Sequence, residues 1–103
     1  MQKEEFTLSL EELNAIGSAW NYLNFMAFSR DGLIRQLEFE GYSNEAATVA
    51  VDSIDVDWNE QAVKSAENYL SFMSFSRSGL INQLVFEGFT REQAEYAVEK
   101  VGY

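Results

Sequence analysis

The chain repeats itself, and that repeat limits its fold more than any other feature. Shifted by 47 positions, Tyr22-Leu23-Asn24-Phe25-Met26-Ala27-Phe28-Ser29-Arg30-Asp31-Gly32-Leu33-Ile34 falls on Tyr69-Leu70-Ser71-Phe72-Met73-Ser74-Phe75-Ser76-Arg77-Ser78-Gly79-Leu80-Ile81. The match runs on through Gln36-Leu37, Phe39-Glu40-Gly41, Glu45, Ala47 and Ala50-Val51, which meet Gln83-Leu84, Phe86-Glu87-Gly88, Glu92, Ala94 and Ala97-Val98. More than half of the positions from Tyr22 to Ile54 are identical in the second copy, without a gap, so one structural unit is written twice. A single unit of this size buries little surface and is marginal alone, whereas two of them fill an ordinary domain of 103 residues.

Each copy reads as three helices. Proline is absent, Ser, Thr and Asp stand where helices should open, and Gly stands where they should close. Ser9-Leu10-Glu11-Glu12 is a capping box that predicts a helix over about 10–27, and Asp57-Trp58-Asn59-Glu60 opens its counterpart over about 58–74. Ser29 and Ser76 open second helices over about 30–40 and 77–87, closed by Gly41 and Gly88. Ser43 and Thr90 cap third helices over about 44–54 and 91–101. The first repeat therefore spans 1–56 and the second 57–103, and the expected fold class is all-α: two three-helix, helix-turn-helix-like units packed into one compact domain.

Apolar spacing names the expected core. Leu13, Ile16, Trp20, Leu23 and Ala27 recur at three and four residues, as do Val63, Ala66, Leu70 and Met73. Leu33, Ile34 and Leu37, then Ala47, Ala50, Val51 and Ile54, mark the inward faces of the shorter helices, and the second copy repeats them. The connection from Ile54 to Asp57 is too short and too poor in Gly and Ser to be a flexible linker. It predicts a rigid joint, with the helix that begins near Trp58 packing between the units. Tyr22, Phe25, Trp58, Tyr69 and Phe72 would then close that interface.

Composition narrows the function. Seventeen acidic residues against seven basic ones give a formal charge of −10, and there is no histidine. Such a surface repels nucleic acid and attracts basic partners. The helix-turn-helix-like pair would present Asn44, Glu45, Thr48 and Asp52, or Arg91, Glu92, Glu95 and Glu99, to phosphates, so no nucleic acid is expected as a partner. Without Cys or His there is no thiolate or Ser-His chemistry, and no phosphate-binding glycine loop is present. Asp55-Val56-Asp57-Trp58-Asn59-Glu60 lacks the central glycine and distal glutamate of a calcium loop and reads as a helix cap. The carboxylates are spread along solvated faces, so no catalytic residue, metal or cofactor is expected. Ser29-Arg30, Ser76-Arg77, Glu40 and Glu87, kept in both copies, read first as residues that serve the fold.

The string Phe28-Ser29-Arg30-Asp31-Gly32-Leu33-Ile34-Arg35-Gln36-Leu37-Glu38-Phe39-Glu40-Gly41-Tyr42-Ser43, its copy from Phe75 to Thr90, and Trp58-Asn59-Glu60-Gln61-Ala62-Val63-Lys64-Ser65-Ala66 resemble the repeat of the host cell surface-exposed lipoprotein (Ltp) family. The resemblance covers nearly the whole chain beyond about Leu13. It implies a prophage-type Gram-positive surface lipoprotein whose exposed repeats stop an incoming phage from delivering its DNA, with the phage tape measure protein as the target. A lipid anchor is expected in the full-length protein, on the extracellular face of the membrane. The chain itself shows no signal peptide, lipobox or spacer, so a soluble, monomeric fragment without membrane contact of its own is expected. The alternative is a structural or adhesion module of the cell envelope. For exclusion the partner is a basic or amphipathic protein segment, while the adhesion module would turn the same surface against host wall components. Glu38, Glu40, Glu45, Asp52, Asp55 and Asp57 are the expected binding surface, because the first unit and the connection carry most of the excess charge.

Overall fold

A computed structural model describes residues 7–103. Among them are six helices and no strand: α1 (Leu10–Phe25), α2 (Arg30–Glu40), α3 (Asn44–Ser53), α4 (Trp58–Leu70), α5 (Arg77–Glu87) and α6 (Arg91–Lys100). The expected all-α tandem repeat of three-helix units is what the chain forms. Every N-cap has an extended backbone and a side chain that accepts from the first turn, Ser9, Ser29, Ser43, Asp57, Ser76 and Thr90 in order. Ser9 with Glu12 and Thr90 with Gln93 complete reciprocal capping boxes. Gly41 and Gly88 sit at φ of 120° and 114°, a left-handed turn that side chains resist, and let Tyr42 and Phe89 donate back to Leu37 O and Leu84 O.

Two of the long helices are shorter than expected. α1 stops at Phe25 rather than 27, and α4 at Leu70 rather than 74. Met26 is already fully extended, at φ −159° and ψ 169°. The break turns the chain so that the Phe28 ring meets Tyr22 edge-on at 5.8 Å, as Phe75 meets Tyr69 at 5.8 Å. Ala27 and Met73 prolong the helical apolar period past the point where the chain leaves the helix, so the period alone did not mark the stop.

Within each unit the first helix packs most extensively on the third, α1 on α3 and α4 on α6. The residues between them are small. Ala15 and Ala19 are fully buried on α1 and Ala47 and Ala50 on α3, while Ala62 and Ala66 oppose Ala94 and Ala97 in the second unit. Alanine faces let helix axes approach to roughly 8 Å, the close end of ordinary packing. This overturns part of the expected α1 stripe: Leu13 and Trp20 are 53% and 41% exposed, because the inward row is the buried Ala15 and Ala19 with the partly buried Tyr22 and Leu23. The second and third helices hold the expected Leu33, Ile34, Leu37 and Val51, and Leu80, Ile81, Leu84 and Val98.

Each unit has its own hydrophobic cluster, and the joint between them is polar and specific. Trp58, the first residue of α4, packs against the first unit's cluster, so α4 does touch both units as expected. Gln61 Oε1 accepts from the Phe28 N–H at 3.0 Å. Ser29, the buried cap of α2, donates its hydroxyl to Glu87 O at the end of α5 at 2.8 Å, and Arg35 donates to the same carbonyl at 3.1 Å. The C-terminus of α5 thus abuts the N-terminus of α2, a favourable head-to-tail alignment of helix dipoles. Of the expected aromatic arc, Trp58 does reach across the joint, but Tyr22 and Tyr69 pack on their own units' clusters, and Phe25 and Phe72 are 87% and 68% exposed.

Candidate functional site

Of the six carboxylates expected to form one surface, four have separate local duties. Asp57 caps α4, accepting from Asn59 N at 3.0 Å and Glu60 N at 3.2 Å. Asp52 takes both arms of Arg30, at 2.7 and 2.8 Å, and that hydrogen-bonded guanidinium holds its carboxyl below the usual aspartate range. Glu38 accepts from Asn44 Nδ2 at 2.7 Å, and Glu40 accepts from the Tyr22 hydroxyl at 2.9 Å. Glu45, in the first turn of α3, and Asp55, in the connection, are exposed. Asp55 and Asp57 share a depression with Trp20 and Lys64, but Glu38 lines a second with Arg30 and Thr48, and Glu40 a third with Ser18 and Asn21. The structure therefore brings Asp55 and Asp57 together and leaves Glu38 and Glu40 in hollows of their own.

Glu87, the second copy's counterpart of Glu40, accepts from the Tyr69 hydroxyl, while Gln83 Nε2 donates to the same hydroxyl at 3.2 Å. Burial raises its carboxyl above the ordinary 4.5. These Tyr–Glu bonds tie the first helix of each unit to the end of the second, which gives Glu40 and Glu87 the fold-serving role expected of residues present in both copies.

The residues that the charge argument passed over are apolar. Phe39 and Phe86 are 87% and 83% exposed, and Met26 and Met73 are about half exposed. Met26 and Phe39 line one groove of about 440 Å3 at the joint, with Arg35 and Gln36 beside them and Glu87 of the other unit across from them. A signal for Phe39 was present in the sequence. Leu33, Ile34 and Leu37 define the inward row of α2, and Phe39 lies two residues beyond, about 200° around the helix, on the outward side. The same break in period recurs at Phe86.

Among the described residues, no group of three or more His, Cys, Asp or Glu could hold a metal ion, and no helix is long and apolar enough to cross a membrane. What the fold does present is a pair of three-helix repeats with a grooved, acidic and partly aromatic surface. The chain belongs to the family described as host cell surface-exposed lipoprotein, whose profile matches it twice, over residues 11–54 and 57–101. Among solved structures it is similar to Ltp, a superinfection exclusion protein from the Streptococcus thermophilus temperate phage TP-J34. The two are 35% identical with a TM-score of 0.83, over 90% of this chain and 97% of that one. No curated protein matches the chain.

Proposed function

We propose that this chain is a non-enzymatic binding module, displayed outside the cell membrane by a lipid anchor, that blocks delivery of phage DNA by binding a phage injection protein. The observation that carries this reading is the agreement with the superinfection exclusion protein along 97% of that protein's chain, both repeats included. The tape measure protein is the proposed target. A charge of −10 draws in a basic segment from a distance and orients it, while short-range affinity must come from apolar contact. Among the carboxylates, Glu45 and the Asp55–Asp57 pair are exposed and remain the better electrostatic contacts, whereas Asp52 is engaged with Arg30. The hydrogen bonds of Gln61, Ser29 and Arg35 across the joint suit this task, since a preorganised surface loses less entropy on binding.

The test is to anchor the domain on a sensitive Gram-positive strain and challenge it with a panel of phages. Plating efficiency should fall by orders of magnitude for at least one phage while adsorption stays normal. Normal plating across the panel would sink the exclusion reading and leave the envelope adhesion role.

A further inference from the structure

Phe25, Met26 and Phe39 in the first unit are 87%, 51% and 87% exposed, and their counterparts Phe72, Met73 and Phe86 are 68%, 50% and 83% exposed. All three are identical between the copies, although none is needed to fill a core. Some positions near them have drifted: Asn24 faces Ser71 in the alignment, Ala27 faces Ser74, Arg35 faces Asn82 and Glu38 faces Val85. Residues kept for the fold are buried or, like Glu40 and Gly41, hold a hydrogen bond or a turn, and residues kept for nothing drift. An exposed phenylalanine retained in both copies fits neither case, and solvent gives no reason to keep it.

We infer that each unit carries a related docking site, centred on Phe39 in the first, where Glu87 of the second unit completes the groove, and on Phe86 in the second, with Phe25–Met26 and Phe72–Met73 at the adjoining turns. The occupant is a basic amphipathic helix of the injection protein, so this inference rests on the binding role proposed above. Met26 and Phe39 line one groove, which gives an apolar helix face both a flat ring and a deformable thioether to seat on. Glu38, Glu40 and Glu87 are next to these rings in sequence but are engaged by Asn44, Tyr22 and Tyr69, so the attraction for Lys or Arg bordering the apolar face comes from the net charge of −10. The Tyr22–Glu40 and Tyr69–Glu87 hydrogen bonds pin the helix ends that carry these rings. Two related sites on one chain make the interaction bivalent, so moderate affinity at each gives strong retention of a partner with two such segments.

Met26 and Met73 carry the methyl groups that report the two sites. The probe is a synthetic amphipathic helical peptide with Leu and Phe on one face and Lys on its borders, compared with a scrambled peptide of the same composition and one with Glu in place of Lys. Methyl NMR of the 103-residue chain should show both Met26 and Met73 shifting with the first peptide and neither with the controls. Phe39→Ala should weaken binding roughly tenfold or more at Met26 alone, and Phe86→Ala likewise at Met73 alone, with unchanged melting temperatures. Absence of shifts, a response at one site only, or an equal response to the scrambled peptide overturns the proposal. So does a concentration-dependent rise in mass that Phe39→Ala/Phe86→Ala abolishes, which would assign the face to a second copy of the chain. In the anchored protein, protection that survives the double substitution refutes docking at these rings but leaves exclusion standing; wild-type protein that never protects refutes exclusion itself.

Discussion

Removing the hydroxyl of Ser29 should cost more stability than removing that of Ser76, and the difference measures the joint between the units. Both serines are N-caps of equivalent helices, accepting from Gly32 N at 2.8 Å and Gly79 N at 3.0 Å. Loss of such a cap costs about 1 kcal/mol, and this part is common to both. Ser29 alone is buried and also donates to Glu87 O across the joint, whereas Ser76 is exposed. A lost hydrogen bond of this kind adds about 1 kcal/mol, and Arg35 keeps the abandoned carbonyl partly satisfied. Ser29→Ala should therefore lose about 2 kcal/mol and Ser76→Ala about 1 kcal/mol. With a urea slope of about 1 kcal/mol/M for a chain of this size, the midpoints should fall by about 2 M and 1 M. Both tryptophans, Trp20 and Trp58, belong to the first unit or the joint, so fluorescence follows that region while far-UV circular dichroism follows all six helices. Equal losses for the two variants would refute the account of the joint.

Other substitutions probe the same architecture. Gly41→Ala and Gly88→Ala both place a side chain in the left-handed region, at a cost of about 1–2 kcal/mol. A Cβ at Gly41 meets nothing within 4 Å, but at Gly88 it lies 2.6 Å from Ser29 Oγ and 3.2 Å from the Asp31 Cβ. Gly88→Ala should thus be the worse by at least about 1 kcal/mol in chemical denaturation. The raised carboxyl of Glu87 means that the folded state holds this proton more tightly than the unfolded chain. Its contribution to stability is full below 4.5 and is lost as pH rises through the raised value. Glu87→Gln keeps an acceptor for Tyr69 without the charge, so its melting temperature should gain on wild type as pH rises above 4.5, and a pH-independent difference would contradict this.

Much of the fold was legible because local chemistry and packing agree. Ser29, Ser43, Ser76 and Thr90 as caps and Gly41 and Gly88 as stops are read from one or two residues each, and the repeat confirms every reading once. What lay hidden was of two kinds. Alanine reads as neutral, so Ala15 and Ala19 gave way on paper to Leu13 and Trp20, although a close helix contact selects the smaller side chains. The binding surface was sought through charge, yet carboxylates such as Asp52 and Asp57 are used locally by a guanidinium and by backbone N–H groups, contacts that depend on the folded chain. Phe39 and Phe86 were visible as breaks in helical period, but whether an off-period ring is exposed depends on what the other unit covers.

The account turns on where an infecting phage is halted. Cells displaying the anchored domain should be exposed to a phage that it restricts, and phage DNA should be quantified inside washed cells alongside the number of adsorbed particles. The account predicts unchanged adsorption with intracellular phage DNA reduced in parallel with plating. Normal intracellular DNA in protected cells would place the block after delivery and contradict the account.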